Sequence, residues 1–173
     1  MSLDKYLSDS RKLDAERVKH CVSLGSQGED LFKELTNAIK TEVEEDKQHI
    51  DFYWDGRRVD VKGPKPMHKE GYVLLEFMNV WGNHGWCAKE SKADYIAFQF
   101  PDAFYVFEKT AIRRRAIGLC EPYSEDSVIR KNRIKPYDGL GKWLGRWNSK
   151  DVFTYLRLTD IKDLIYDKIP LDV

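Results

Sequence analysis

The sequence predicts an α/β domain in which a mixed β-sheet is flanked by helices. Three observations carry this reading. Apolar residues recur at helical spacing through 27–46, a hairpin signal follows at 49–62, and a near-continuous apolar run at 72–80 suits a central strand covered on both faces. Helix, strands, a short helix and further strands is the order of a sheet with helices packed on it. At 173 residues the chain has the length of one domain, given about 150 residues per domain.

Residues 3–23 read as a first helix, with Tyr6, Leu7, Val18, Cys21 and Val22 as packing positions, and Gly25-Ser26 breaks the pattern. The second helix, 27–46, places Leu31, Phe32, Leu35, Ala38, Ile39 and Val43 on one face. His49–Trp54 and Arg57–Lys62 alternate around Asp55-Gly56, the dipeptide preferred in a two-residue type I′ turn. Gly63-Pro64-Lys65-Pro66 stops the second strand, since proline cannot donate to a ladder. After the 72–80 strand, Gly82–Lys92 is a loop or short helix. Tyr95–Phe100 and Phe104–Glu108 are strands joined by a turn at Pro101-Asp102. Residues 109–150 look irregular, rich in glycine and proline. Val152–Leu158 resembles a strand, and Thr159-Asp160 caps a last short helix reaching Tyr166.

Composition narrows the function classes. The chain is 42% hydrophobic, 34% charged and 13% aromatic, which suits a globular domain rather than a disordered tail. Its apolar stretches reach about five residues, against the ~20 that span a bilayer. Met1-Ser2-Leu3-Asp4-Lys5 lacks the apolar run of a signal peptide. The expectation is a cytoplasmic protein with no membrane partner. Cys21, Cys87 and Cys120 form no C-x-x-C pair and read as free thiols.

The balance of 29 basic and 29 acidic residues hides a polarity. Lys109–Lys150 holds 11 basic and 4 acidic residues, net +7, whereas Ser26–Asp60 holds 10 acidic and 5 basic. An acidic patch beside a basic one suits a metal site next to a phosphate-binding surface, and equally an uneven solvated surface.

The hairpin fixes geometry. A two-residue loop pairs Trp54 with Arg57, Tyr53 with Arg58 and Phe52 with Val59, and by extension Asp51 with Asp60 and His49 with Lys62. Alternation puts His49, Asp51, Asp60 and Lys62 on one face and Ile50, Phe52, Val59 and Val61 on the core face. Facing aspartates repel. A divalent cation held by both carboxylates resolves this, and so does neutralisation by Lys62. Glu76, inside an apolar strand, needs a partner or a ligand as well.

Val59-Asp60-Val61-Lys62-Gly63, followed by Leu74-Leu75-Glu76-Phe77-Met78-Asn79, resembles the core of the PD-(D/E)xK nuclease superfamily. The resemblance runs from about Ser26 to Phe107, with Gly85-Trp86 and Ala93–Phe98 similar to the later helix-to-strand passage, and the whole resembles short phage-encoded nucleases. It implies a restriction-endonuclease-like αβββαβ core, here about 26–108, with a basic C-terminal extension over 109–173. Two alignments stand. In one, Asp51 is the lone acid and Asp60-Val61-Lys62 is the D-x-K, which leaves no strand before Asp51. In the other, favoured here, Asp60 is the lone acid and Glu76 opens the E-x-K. Met78 then stands where the family has lysine, and Lys62 is a migrated lysine. A helix-borne glutamate often completes such sites, and Glu29, with Glu34 behind it, is the candidate. Ser26-Gln27-Gly28-Glu29 also reads as a capping box.

Other motifs are weaker. Asn83-His84 lacks the further histidines of an HNH site, and Gly139-Leu140-Gly141-Lys142 has the wrong spacing for a P-loop. Arg113, Arg114, Arg115, Arg130, Lys131 and Arg133 are placed for phosphates, and Lys142 and Arg146 interleave with Tyr137, Trp143 and Trp147.

The expected function is therefore a Mg²⁺- or Mn²⁺-dependent endodeoxyribonuclease acting in a cytoplasm, a phage-infected host's included. The resemblance gives Asp51, Asp60, Glu76 and Glu29 as metal ligands, and Asp60, Glu76 and Lys62 as the catalytic set. Two alternatives stay open: a branched-DNA resolvase, commonly a homodimer, and a non-catalytic nucleic-acid-binding or phage-structural protein on the same core.

Overall fold

The computed structural model describes residues 23–46, 48–79, 81–120 and 151–171. The helix expected over 3–23 lies almost wholly outside them, as do Cys21, Tyr137, Trp143 and Trp147. A helix over 23–36, α1, opens the described chain, and Gly25-Ser26 lie inside it rather than breaking it. It stops at Asn37, whose φ of 56° is left-handed, ten residues before the expected end. Ile39–Lys40 then forms a short strand, β1, and Val43–Asp46 a single helical turn, α2. Phe32 is wholly buried, but Ile39, expected on the same face, is exposed. Strand pairing outweighed the helical periodicity here.

β2 (Phe52–Trp54) and β3 (Arg57–Lys62) form the expected hairpin in the expected register. Asp55 and Gly56 both have positive φ, 48° and 70°, as a type I′ turn requires. The ladder does not continue to His49. The Asp51 amide donates to the Val59 carbonyl and the Ile50 amide turns away to Glu45. The Asp51 carboxyl then accepts the Val61 amide at 2.6 Å, standing in for a strand carbonyl. After Gly63-Pro64 comes a helical turn, α3 (Pro66–Lys69), with proline in its first turn.

β4 (Tyr72–Met78) is the apolar strand expected at the centre of the sheet. It lies instead in a second sheet, paired antiparallel with β7 (Val152–Arg157). The principal sheet has six strands in the order β1-β2-β3-β5-β6-β8, with β5 spanning Tyr95–Gln99, β6 Ala103–Glu108 and β8 Ile165–Pro170. β3 and β5 are parallel and the other pairs antiparallel, so the sheet is mixed, as the sequence implied.

Three further expectations are corrected. Lys109–Leu119 is a regular helix, α4, rather than irregular chain. The last helix, α5, begins at Leu158 with Arg157 as its N-cap and no side-chain cap, so Thr159-Asp160 do not cap it. It gives way to a 3₁₀ turn at Lys162–Leu164, and then the chain extends into β8.

Aromatic and aliphatic side chains fill both faces of the six-stranded sheet. On one, Phe32 of α1 meets Phe52, Val59, Val61, Phe104 and Val106. On the other, Ile96, Phe98 and Phe107 meet Val73 and Leu75 of β4, Trp86, Leu156 of β7 and Ile112 of α4. The face alternation read from the hairpin holds: Phe52, Val59 and Val61 point to the α1 side. Gly28 of α1 lies against Gly63 so closely that a Cβ on Gly28 would stand 2.6 Å from the Gly63 Cα. No helix among the described residues is long and apolar enough to cross a membrane. Cys87 and Cys120 are free and buried.

His68 of α3 is buried, donates from Nδ1 to the Gln99 carbonyl at 2.6 Å and stacks on Phe100. Burial pushes its pKa down from 6.5 to about 4. The unfolded chain therefore takes up this proton first as the pH falls. The stability held by the neutral ring is complete above pH 6.5 and is lost progressively down to pH 4, a loss of about 3 kcal/mol. Denaturant midpoints measured from pH 7 to pH 4 should fall over this window. His68→Met should flatten the slope while lowering stability at neutral pH. An unchanged slope in the variant would assign the acid lability elsewhere.

Candidate functional site

Asp60 and Lys62 share one face of β3, and Asp51 stands beside them where β2 begins. Asp60 is 2% exposed. Its Oδ1 accepts the Lys62 ammonium at 2.8 Å, and its Oδ2 is buried with no hydrogen-bond partner. An unpaired carboxylate oxygen out of contact with water is costly. The Lys62 ammonium also lies 5.2 Å from the centre of the Trp86 ring. Burial acts against its charge, but the charges of Asp60 and Asp51, the Asp60 hydrogen bond and the charge of Glu76 outweigh this and hold its pKa above the ordinary lysine value. Burial, reinforced by the charge of Asp60, pushes the Asp51 carboxyl up to about 8, against the opposing pull of Lys62 and the Val61 amide.

These three side chains line a cavity of about 280 Å³, and Glu29 and His49 line it too. Glu29 reaches it from α1 and is paired with Lys40 of β1 at 3.0 Å. The capping-box reading of Ser26–Glu29 is corrected, because Ser26 is inside the helix. His49 has a left-handed φ of 61° and donates from Nε2 to the His84 carbonyl at 3.3 Å. That bond ties the cavity rim to the 81–92 loop. The sequence put His49 on this face without giving it a role; its backbone conformation is what sets it apart.

Glu76 does not line this cavity. It sits on β4 in the second sheet, opposite Phe153, although its charge reaches Lys62. The meander of three strands ending in 72–80 is thus not formed. β1, β2 and β3 make a meander instead, and the strand that seemed missing before Asp51 is β1. Among the described residues no three His, Cys, Asp or Glu side chains converge as a metal-holding group.

The basic residues divide. Arg115 is bound to Asp163 at 2.6 Å and to the Asp160 carbonyl, which occupies much of its guanidinium. Arg113 lies over the Phe77 ring with its Nε buried and unpaired. Arg114 is exposed on α4. Lys109, counted in the basic stretch, is buried and donates to the Ala88 and Ser91 carbonyls. Arg130, Lys131, Arg133, Lys142 and Arg146 lie outside the described residues.

No family model, curated protein or solved structure matches the chain. The chemistry of the cavity therefore has to carry the functional reading.

Proposed function

We propose that the protein is a divalent-metal-dependent nuclease that hydrolyses DNA phosphodiester bonds, built on a core of the PD-(D/E)xK kind. The observation that carries this reading is the partnerless Asp60 Oδ2, buried next to a second carboxyl and a lysine. The element order also supports it. A helix bearing Glu29, a three-strand meander bearing Asp51 and Asp60-Val61-Lys62, and a crossover to a parallel strand follow the first of the two alignments.

The donor set fits Mg²⁺ or Mn²⁺. Mg²⁺ is commonly held by one or two carboxylates, with waters and phosphate oxygens completing the shell. Asp60 and Asp51 would hold it, with Glu29 at the cavity rim. A bound cation supplies Lewis-acid polarisation of the phosphate and lowers the pKa of an attacking water. The chain supplies the rest. Lys62 keeps its proton and stands in the cavity lining beside Asp60, where it would hold the attacking water or a phosphate oxygen as negative charge develops. Asp51 keeps Oδ2 on the Val61 amide, which fixes the orientation of its carboxyl. His49, bonded to the His84 carbonyl of the 81–92 loop, forms part of the cavity lining.

The test is calorimetric titration with Mg²⁺ and Mn²⁺, run beside cleavage of linear, single-stranded and branched DNA. Binding with metal-dependent cleavage that EDTA removes is the expected result, and the branched substrate separates a general nuclease from a resolvase. A protein that binds neither ion and cuts no substrate is not a nuclease.

A further inference from the structure

We infer that a second site, at the opposite end of the central strands from Asp60, binds a phosphate group. It does not rest on the nuclease reading. The site is a cavity of about 460 Å³ at the N-terminal ends of β3 and β5, where α4 begins. Three independent features converge there.

The first is an uncapped helix. α4 is 11 residues long, and its N-cap, Glu108, makes no side-chain cap bond. The Lys109 amide is used by the Asp94 carbonyl, and the next amides of the first turn, beginning with Thr110 at the cavity wall, have no partner within the helix. The positive end of the helix therefore faces the cavity.

The second is Ser91. It is 7% exposed and lines the cavity, and its hydroxyl has no hydrogen-bond partner. Its carbonyl already takes the Lys109 ammonium, so the orphaned hydroxyl is a separate donor. A buried hydroxyl left unpaired is costly, and a ligand oxygen would relieve it.

The third is charge. Arg57, Arg58, Lys92 and Lys109 line the cavity, against Asp94 and Glu108. Asp94 is neutralised in place by two bonds from the Arg58 guanidinium, at 2.7 and 3.0 Å, and its carboxyl is held below the usual range chiefly by that side-chain pairing. Glu108 accepts from the Thr110 hydroxyl. Arg57, 5.8 Å from the centre of the Tyr95 ring, and Lys92 remain for a ligand. A hydroxyl, a helix terminus and two cations in the lining of one cavity suit an anion with several acceptor oxygens, such as a phosphate group. The cavity exceeds a bare phosphate, so the group belongs either to a small phosphomonoester or to a nucleic-acid strand.

The experiment measures thermal midpoints in inorganic phosphate against sodium chloride of equal ionic strength. A deoxymononucleotide and a six-nucleotide DNA strand without a terminal phosphate are run in parallel. Phosphate at ten times its dissociation constant should raise the wild-type midpoint by about 3–6 °C. Ser91→Ala removes an unpaired hydroxyl, so its own midpoint should not fall below that of the wild type, yet the phosphate shift should at least halve. Arg57→Gln should do the same, whereas Lys69→Gln on α3 should keep the full shift. A stronger response to the mononucleotide identifies a small-molecule site, and a stronger response to the strand identifies a nucleic-acid contact. No shift above chloride, or an equal shift in every variant, overturns the inference.

Discussion

Asp60→Asn is expected to abolish divalent-dependent DNA cleavage while the protein stays folded. The substitution keeps the size of the side chain and removes the charge that a cation would need. Loss of several kcal/mol of transition-state stabilisation corresponds to at least ~10³-fold in rate. The fold survives because the charge balance rearranges. With Asp60 neutral, its repulsion no longer adds to the burial that raises Asp51, which favours Asp51 as the counter-ion for Lys62. Lys62→Ala should leave metal binding measurable and cut cleavage on the order of 10²–10³-fold, the scale of losing one oxyanion donor. Glu76→Gln should be far milder than Asp60→Asn, since Glu76 stands outside the cavity. Cleavage rates and calorimetric metal affinities for the three variants make the comparison. Full activity in Asp60→Asn would remove the carboxylate pair from the chemistry, and equal losses in Asp60→Asn and Glu76→Gln would restore the other alignment.

The second large effect concerns stability. Phe32→Ala should destabilise the protein by about 3–5 kcal/mol, the usual cost of truncating a buried phenylalanine. The ring is wholly buried and lies 5.2 Å from Phe104, 5.9 Å from Phe52 and 6.0 Å from Trp54, centre to centre. Those rings belong to β6 (Phe104) and to β2 (Phe52 and Trp54), so one side chain joins α1 to both halves of the principal sheet. A chain of this size should lose roughly 6–20 °C of thermal midpoint. Guanidinium unfolding with an unchanged slope checks it, and a loss under about 1 kcal/mol would mean that the sheet holds α1 by other means.

The hairpin was readable because its signals are local. Asp55-Gly56 names its turn type, and the turn sets which residues pair, so the shared face of Asp60 and Lys62 followed from counting. Where local signals end, the reading failed. Leu31, Phe32 and Leu35 gave a sound helix face, but nothing in Asn37-Ala38-Ile39-Lys40 announces a two-residue strand, which is too short to show a period of two. The 72–80 run correctly implied a strand with buried side chains. It could not name a partner, because β7 lies more than 70 residues further along the chain and strand pairing at such separation leaves no local mark. That one unknown put Glu76 in a different sheet from Asp60 and outside the lining of the cavity. Lys109 misled in the opposite way: counted as surface charge, it is buried against carbonyl oxygens, which no tally of charges along the chain reveals.

The contact between Gly28 and Gly63 has a consequence for how firmly the cavity is held. Main chain rests on main chain there, with no side chain of either residue between them, so the spacing of α1 from the end of β3 is set by van der Waals contact of the two backbones. Glu29 is the next residue after one of these glycines, and Lys62 the one before the other. The two walls of the cavity thus share a hinge pin with almost no play, and little conformational entropy remains to be lost when a ligand arrives. A single methyl at either glycine would act as a wedge, tilting Glu29 away from Asp51 and Asp60 without altering one polar atom. The cleft could be silenced through spacing alone, its carboxylates intact and out of register.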